Sequence, residues 1–415
     1  MVIPRFMPGV STNLRQPSNL ICKAGEHLLT SEERREARYQ RRRHRRAEAK
    51  AARNRYATYD QVFSYGNLYR AYKLCRRNVA WKASVQKYIV QAPVLVYKTW
   101  AQLSMGKYKP PVFFEFDIRE RGKARHIRST TITDRVVQRS LCDNALVPTV
   151  FGTMIYDTGA CVKDKGYTFA VERMDAHLQK FIRKYGTDGA ILMGDFRHFF
   201  DSIMHWAVLK VLHNELEDLR VIGMTENLIR MFDAKKSPER RRGLGLGSQI
   251  SQVLAPAVAS YIDHFIKSVP GAKYYARYND DFYVIGKSKA WLHRLKELIR
   301  AKCAETGLEL HPRKTQVVKL THGFQWLKVK YTVTPTGKII HRLHRSSVTR
   351  ERRKLKSLAA RYHAGERTFK QFFDSWQCWD AHAARFQSRK TRNEMEILFV
   401  KLLIGGDDHA VVQAA

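Results

Sequence analysis

Tyr278-Asn279-Asp280-Asp281, set between Tyr274-Tyr275-Ala276 and Phe282-Tyr283-Val284-Ile285, is the stretch on which the fold turns. β-Formers flank a short polar centre on both sides, the pattern of a hairpin whose tight turn projects two adjacent carboxylates. Adjacent acids repel one another. A half-buried pair is relieved by hard divalent cations such as Mg2+, which prefer carboxylate oxygen. Taken alone, the four residues also read as a solvated Asp-Asp turn, because aspartate is common in turns.

A second acidic site changes that balance. Ala190-Ile191-Leu192-Met193-Gly194 has the form of a buried strand and runs into Asp195-Phe196-Arg197-His198-Phe199-Phe200-Asp201, which passes into a helix. Two-metal phosphoryl transfer needs carboxylates from separate strands converging on ions about 3.5–4 Å apart. Asp195 and Asp280 suit that need, whereas Asp201 lies beyond the turn and reads as structural. Together the two blocks resemble the reverse transcriptases, in which an Asp-x-x-x-x-Phe/Tyr block precedes Tyr-x-Asp-Asp.

Further blocks follow in that family's order over roughly residues 110–335. Lys123-Ala124-Arg125-His126-Ile127-Arg128 with Asp134-Arg135-Val136-Val137-Gln138 resembles the fingers segment that meets the incoming triphosphate. Gly245-Leu246-Gly247-Ser248-Gln249-Ile250-Ser251-Gln252 is similar to the loop and helix start shaping the template and nucleotide pocket. Gly307-Leu308-Glu309-Leu310-His311-Pro312-Arg313-Lys314-Thr315 resembles the segment bringing a lysine to the leaving pyrophosphate, and Phe324-Gln325-Trp326-Leu327 stands at the primer grip. The Ser251-Gln252 ending, where many bacterial relatives have Ser-Pro, is similar to prokaryotic diversity-generating-retroelement and defence-associated enzymes. Where relatives place Arg-Pro this chain has Val162-Lys163, so Lys163 or Lys165 would supply the charge.

The resemblance implies an α+β right-hand polymerase with fingers, a palm whose antiparallel sheet bears Tyr-x-Asp-Asp, a helical thumb and a basic helical N-terminal extension. The corresponding divisions are 1–55 for an RNA-binding extension, 56–189 for N-terminal helices and fingers, 190–335 for the palm with a fingers loop at 233–262, and 336–415 for the thumb and tail. It also implies an RNA-directed DNA polymerase. Asp195, Asp280, Asp281 and Lys314 would be catalytic, and Asp195, Phe196, Asp280 and Asp281 would hold two Mg2+ per site, with Mn2+ as a substitute. Lys123, Arg125, Phe200 and Gln252 would bind the nucleotide, Phe200 as the aromatic wall that leaves no space for a 2′-OH, although it also reads as a core phenylalanine. Expected partners are dNTPs, a cDNA product and an RNA template, read as a structured noncoding RNA in antiphage defence. The alternatives are a retroelement enzyme making mutagenised cDNA, an RNA-dependent RNA polymerase, or a non-catalytic RNA-binding scaffold.

Composition agrees with a polyanionic partner. The 415 residues carry 75 Lys and Arg against 38 Asp and Glu, a formal charge of +37, and 44% are hydrophobic, enough for a substantial core. Self-repulsion of that size calls for nucleic acid. No apolar run approaches the ~18 residues of a spanning helix, and the start lacks a signal-peptide core, so no membrane partner and a prokaryotic or phage-encoded cytoplasmic protein are expected. Six cysteines without a Cys-x-x-Cys pair read as reduced thiols.

Outside the family-like blocks, residues 1–30 read as extended, and Ser31 as the cap of a basic helix reaching Arg55, which reads as RNA-binding or as a solvated arm. Residues 56–108 show a stripe of Tyr65, Leu68, Tyr69, Tyr72, Trp81, Tyr88, Ile89, Val96, Tyr97 and Trp100, read as core in preference to a base-stacking platform, with Arg76, Arg77, Lys82 and Lys87 available to nucleic acid. Beyond Gly337 the chain turns helical and basic around Phe369, Phe372, Phe373, Trp376 and Trp379, as a thumb gripping a template–product duplex would.

Overall fold

The structure, a computed structural model, describes residues 30–110, 113–120, 122–233 and 236–405, without the side chains of residues 120 and 123. The reading of residues 1–29 and the first residue of the expected strand, Val112, lie outside the described residues. Two compact units divide the chain, 1–51 and 52–415.

The first unit is built on helix α1 (Ser31–Asn54). Its cap is Thr30, one residue before the serine expected to play that part. The Thr30 hydroxyl accepts the Glu33 N–H at 3.3 Å while the Glu33 carboxylate accepts the Thr30 N–H at 2.6 Å. This reciprocal pair satisfies two donors that the first turn would leave open.

In the second unit α2 (Tyr59–Val62), α3 (Tyr65–Cys75), α4 (Ala83–Val90) and α5 (Ala92–Ser104) precede an antiparallel hairpin of β1 (Phe114–Glu120) and β2 (Lys123–Ser129). Helix α6 (Ile132–Leu141) buries Val136, Val137 and Leu141 in one core with Leu68, Tyr72, Tyr88 and Val96 of the preceding helices. The chain continues through α7 (Val147–Val150) and α8 (Tyr167–Tyr185) into β3 (Ala190–Arg197), α9 (Phe199–Ser202), α10 (His205–Glu215), α11 (Leu219–Arg230) and α12 (Gln249–Ser268). Strands β4 (Tyr274–Tyr278) and β5 (Asp281–Gly286), helix α13 (Lys289–Ala304), and strands β6 (Glu309–Leu310) and β7 (Gln316–Lys319) complete the central sheet, of order β4-β5-β3-β6 with β7 also paired to β3.

Every pairing in that sheet is antiparallel, with β3 at its centre. Alternate side chains leave opposite faces of a strand. Leu192, Tyr275, Phe282 and Val284 therefore join one core with α12 and α13, while Ile191, Met193, Tyr283 and Ile285 join another with Met174, Leu178 and Phe181 of α8. Burial on both faces explains the unbroken apolar run Ala190–Met193. Gly194 is required by the same packing, because a Cβ there would lie 2.1 Å from the Phe282 ring.

Behind the sheet a polar network ties α8 to β5. Arg173 Nη2 donates to His177 Nε2 at 3.0 Å, which leaves the His177 Nδ1–H to donate to the Tyr283 hydroxyl at 2.9 Å. Asp157 accepts from Arg173 at 2.6 Å and from Lys267 at 2.9 Å. Burial, opposed by Asp157 and assisted by Arg173, Lys267 and Lys180, pushes the His177 imidazole down to about 4. The unfolded chain, with an ordinary imidazole near 6.5, takes up a proton that the fold refuses, so stability is full above that pH and is lost as pH falls toward 4. Between pH 7.5 and pH 5 the wild type is expected to lose on the order of 2 kcal/mol more unfolding free energy than His177→Gln, measured by urea denaturation. Equal pH slopes for the two proteins would refute this reading.

Strands β8 (Phe324–Trp326), β9 (Val329–Val333) and β10 (Ile339–Leu343) form a separate antiparallel sheet. Helices α14 (Arg345–His363), α15 (Phe369–Ala383) and α16 (Arg389–Ile404) then pack around Leu355, Ala359, Phe372, Met395 and Phe399. The Trp376 ring stacks on Phe399 at 4.7 Å, so much of the C-terminal aromatic series builds the interior of this bundle. Among the described residues no helix is long and apolar enough to cross a membrane.

Candidate active site

Strands β4 and β5 are joined by Asn279 and Asp280 alone, with Tyr278 opposite Asp281 in the register. Asn279 adopts φ 53°, a left-handed conformation that asparagine tolerates in tight turns. Asp195 pairs directly with Asp281 across β3 and β5, and the Phe196 N–H donates to the Asp280 carbonyl at 2.9 Å. Directly opposed residues present side chains on one face with Cβ atoms about 4.5–5.5 Å apart. The register thus brings Asp195, Asp280 and Asp281 to one end of the central strands.

The electrostatics bear the mark of that crowding. Burial, then the charges of Asp280 and Asp195, push the Asp281 carboxyl up to about 7, against the pull of Lys314 and Lys328. Asp280 is likewise raised, first by burial and then by Asp195, with Lys314 and Arg125 acting in the other direction. Lys314 Nζ donates to Asp195 Oδ2 at 2.8 Å. The loop carrying Lys314 is stitched to the same strand, since the His311 N–H donates to the Asp195 carbonyl at 2.8 Å and His311 Nδ1 accepts the N–H groups of Arg313 and Lys314.

The β1–β2 hairpin and the glycine loop are coupled. The Arg128 N–H donates to the Leu246 carbonyl at 3.0 Å, and a Cβ on Gly247, whose φ is 103°, would lie 2.8 Å from the Arg128 carbonyl oxygen. This close approach fixes β2, which carries Arg125, against the start of α12, which carries exposed Gln252. Phe200 is half-buried on α9, packed against Phe199 at 5.2 Å, with its carbonyl accepting the Leu244 N–H at 2.7 Å. The Phe196 side chain is buried, so only its backbone is available to a cation. The Lys123 side chain lies outside the described residues, and the Asp201 side chain is exposed on α9. Lys165 is engaged by the Tyr156 carbonyl and by the rings of Tyr156 and Phe169, whereas Lys163 is exposed.

Sequence reasoning missed the support beneath the hairpin. Arg277, fully buried in β4, donates from Nε and Nη2 to the two carboxylate oxygens of Asp263 in α12, both at 2.7 Å, from Nη2 to the Pro256 carbonyl at 3.0 Å and from Nη1 to the Asn279 carbonyl at 3.1 Å. The Tyr275 hydroxyl also donates to Asp263. The Thr158–Gly159 backbone bridges Arg277, and the Cys161 thiol reaches Asn279 Oδ1 at 3.7 Å. A lone arginine in an apolar strand and a lone aspartate in an apolar helix were the available signals. Lys328, in the β8–β9 turn at φ 68°, was missed as well, although its charge acts on Asp281.

The family model for reverse transcriptase (RNA-dependent DNA polymerase) matches residues 109–332 of the 415. The chain belongs to the reverse transcriptase family. The match contains all three carboxylates, Arg125, Phe200, Gln252 and Lys314. No curated protein matches the sequence. Similar solved structures include telomerase from Candida albicans in complex with a fragment of telomeric RNA, at 12% identity and TM-score 0.44, covering 77% of this chain and 60% of that one. Apo telomerase from Candida tropicalis is similar at 13% identity and TM-score 0.43, covering 73% and 58%, and a form truncated from the C-terminal domain at 11% and 0.42, covering 58% of each. The chain thus spans about three fifths of the length of those telomerases.

Proposed function

We propose that this reverse transcriptase synthesises cDNA on an RNA template with two Mg2+ ions held by Asp195, Asp280 and Asp281, with Mn2+ able to substitute. The observation that carries the reading is the register of β3 against β5, which gathers the three acids and leaves them in mutual repulsion. An all-oxygen donor set of this kind suits a hard cation. Among the described residues no group of three His, Cys, Asp or Glu side chains is arranged to enclose a metal by itself. Substrate phosphates and water are the natural completion of such a shell. Bound cations would supply activation of a primer hydroxyl and neutralisation of the triphosphate.

The chain's own residues have separate parts. Arg125, whose charge already acts on Asp280, would bind the triphosphate from β2, with Lys123 beside it in the sequence. Lys314 would hold Asp195 until substrate arrives and then meet the leaving pyrophosphate. Gln252 would border the nascent base pair, and Phe200 would close the space beneath the sugar. Phe200→Ala is expected to reduce discrimination between dNTP and rNTP by roughly 10- to 100-fold, measured as the ratio of the two kcat/KM values. A ratio unchanged from wild type would mean that Phe200 serves only the core.

The template is proposed to be a dedicated structured noncoding RNA, and the role antiphage defence in a prokaryotic or phage setting. Support comes from the Ser251-Gln252 signature together with the basic extension over residues 1–55. Sequencing of RNA and DNA that copurify with the protein tests it. A fixed or repetitive cDNA agrees with defence, and adenine-directed substitutions would assign the protein to a diversity-generating retroelement instead.

A further inference from the structure

Between Asp60 and Glu115 the chain contains nine Lys and Arg residues and no acid. All but the last stretch of this segment precedes the region matched by the reverse transcriptase family. The aromatic stripe within it separates into two sets. Leu68, Tyr72, Tyr88 and Val96 are buried against α6, but Trp81 is 74% exposed. Leaving the largest apolar side chain in water forfeits the free energy its burial would return.

Trp81 is held in that exposed position by the turn between α3 and α4. Asn78 takes φ 62°, the Val79 N–H donates to the Arg76 carbonyl at 3.3 Å, and the Lys82 N–H donates to the Val79 carbonyl at 3.0 Å. The indole N–H donates to the Asn78 carbonyl at 3.2 Å. With its single donor satisfied inside the turn, the indole offers ring surface to a partner. Arg76, Arg77 and Lys82 are exposed around it, with Lys82 Nζ 5.4 Å from the ring centroid.

We propose that the Arg76–Lys82 turn is a second RNA-binding surface, which stacks an unpaired base of single-stranded or looped RNA on Trp81 and holds the flanking phosphates with Arg76, Arg77 and Lys82. An exposed aromatic ring flanked by cations, in a segment without acids, is complementary to unstacked bases on a polyanionic backbone, and base–aromatic stacking is sequence-tolerant. An acidic protein would satisfy the cations without needing the ring. The inference rests on the proposed handling of RNA but does not depend on catalysis.

The test is fluorescence anisotropy with a fluorescein-labelled single-stranded RNA of about 20 mixed nucleotides, long enough for one binding site, without nucleotides or primer. A blunt RNA duplex of equal length and phosphatidylserine vesicles serve as competitors. Trp81→Ala is expected to raise the Kd for the single strand about tenfold and Trp81→Phe to keep it within about twofold. Arg76→Glu/Arg77→Glu is expected to weaken binding and to lower the slope of log Kd against log salt by more than one. An unchanged Kd for Trp81→Ala, an equal loss on the duplex, or displacement of the RNA by the vesicles would each overturn the proposal. Asp280→Asn should retain this binding while losing primer extension, so failure of the surface and failure of the polymerase reading give different results.

Discussion

Asp280→Asn is expected to abolish primer extension, by about 10³-fold or more, and at the same time to make the protein more resistant to denaturation. The two effects have one cause. Asp280 stands at the turn between β4 and β5, and burial first, then the charge of Asp195, raises its carboxyl. Three carboxylates at one end of a sheet are a standing cost in the absence of cations, and removing one charge relieves the other two. Asparagine keeps the shape of the side chain and can still accept a hydrogen bond, but it is a poor ligand for a hard cation. Losing several kcal/mol of charge stabilisation in the transition state corresponds to the rate loss stated.

The gain in stability should be on the order of 1 kcal/mol in EDTA, the scale of Coulomb repulsion between neighbouring charges partly screened by solvent. Urea denaturation and extension of a primer on an RNA template, with Mg2+ and dNTPs, measure the two arms. A variant that extends primers at half the native rate would remove the metal-binding role. One that is inactive but less stable than wild type would show that Asp280 serves the fold, as expected of a non-catalytic scaffold.

How far the sequence foretold this site depends on which interactions were local. The hairpin could be read because β-formers flank Asn279-Asp280 and because asparagine supplies the left-handed residue that a two-residue turn requires. The buried strand ending at Asp195 could be read from its apolar run, and the family order of the blocks implied that the two strands meet. The pairing itself, Asp195 opposite Asp281, is a long-range register that no local pattern encodes.

Trp81 shows the opposite failure. Helical spacing placed it in a stripe with Tyr72 and Tyr88, yet it lies in a turn after α3 has ended, where the 3.6-residue period no longer applies. Thr30 displaced Ser31 as the cap of α1 because Glu33 stands three residues after Thr30, at the spacing that closes the reciprocal pair. The C-terminal aromatics were read as an amphipathic segment of a helical thumb, and Phe372, Phe373, Trp376 and Trp379 pack into a three-helix interior with Leu355 and Phe399.

The largest expected effect on stability belongs to a residue with no place in the family-like blocks. Arg277→Met should lower the unfolding free energy by about 3–5 kcal/mol, because it leaves the Asp263 carboxylate buried without its cation. Both partners are fully buried, so solvent cannot substitute for the lost guanidinium. Replacing both, Arg277→Met with Asp263→Leu, should recover much of that loss, since a well-packed apolar pair is often as stable as a buried ion pair. Activity should not return with it. Arg277 also donates to the Asn279 carbonyl, so the double variant removes one of the hydrogen bonds that hold the turn bearing Asp280.

The separation of the two readouts is the point of the experiment. Urea denaturation follows the ion pair, and kcat on a primed RNA template at saturating dNTP follows the placement of the hairpin. Arg277→Lys keeps the charge but loses the two-pronged geometry, and it should fall between wild type and Arg277→Met in both measurements. If the double variant regains stability and full kcat together, Arg277 does no more than fill the core. If it regains stability while kcat stays at least about tenfold low, the buried arginine holds the catalytic turn in register, and the acids depend on an ion pair that no substrate touches.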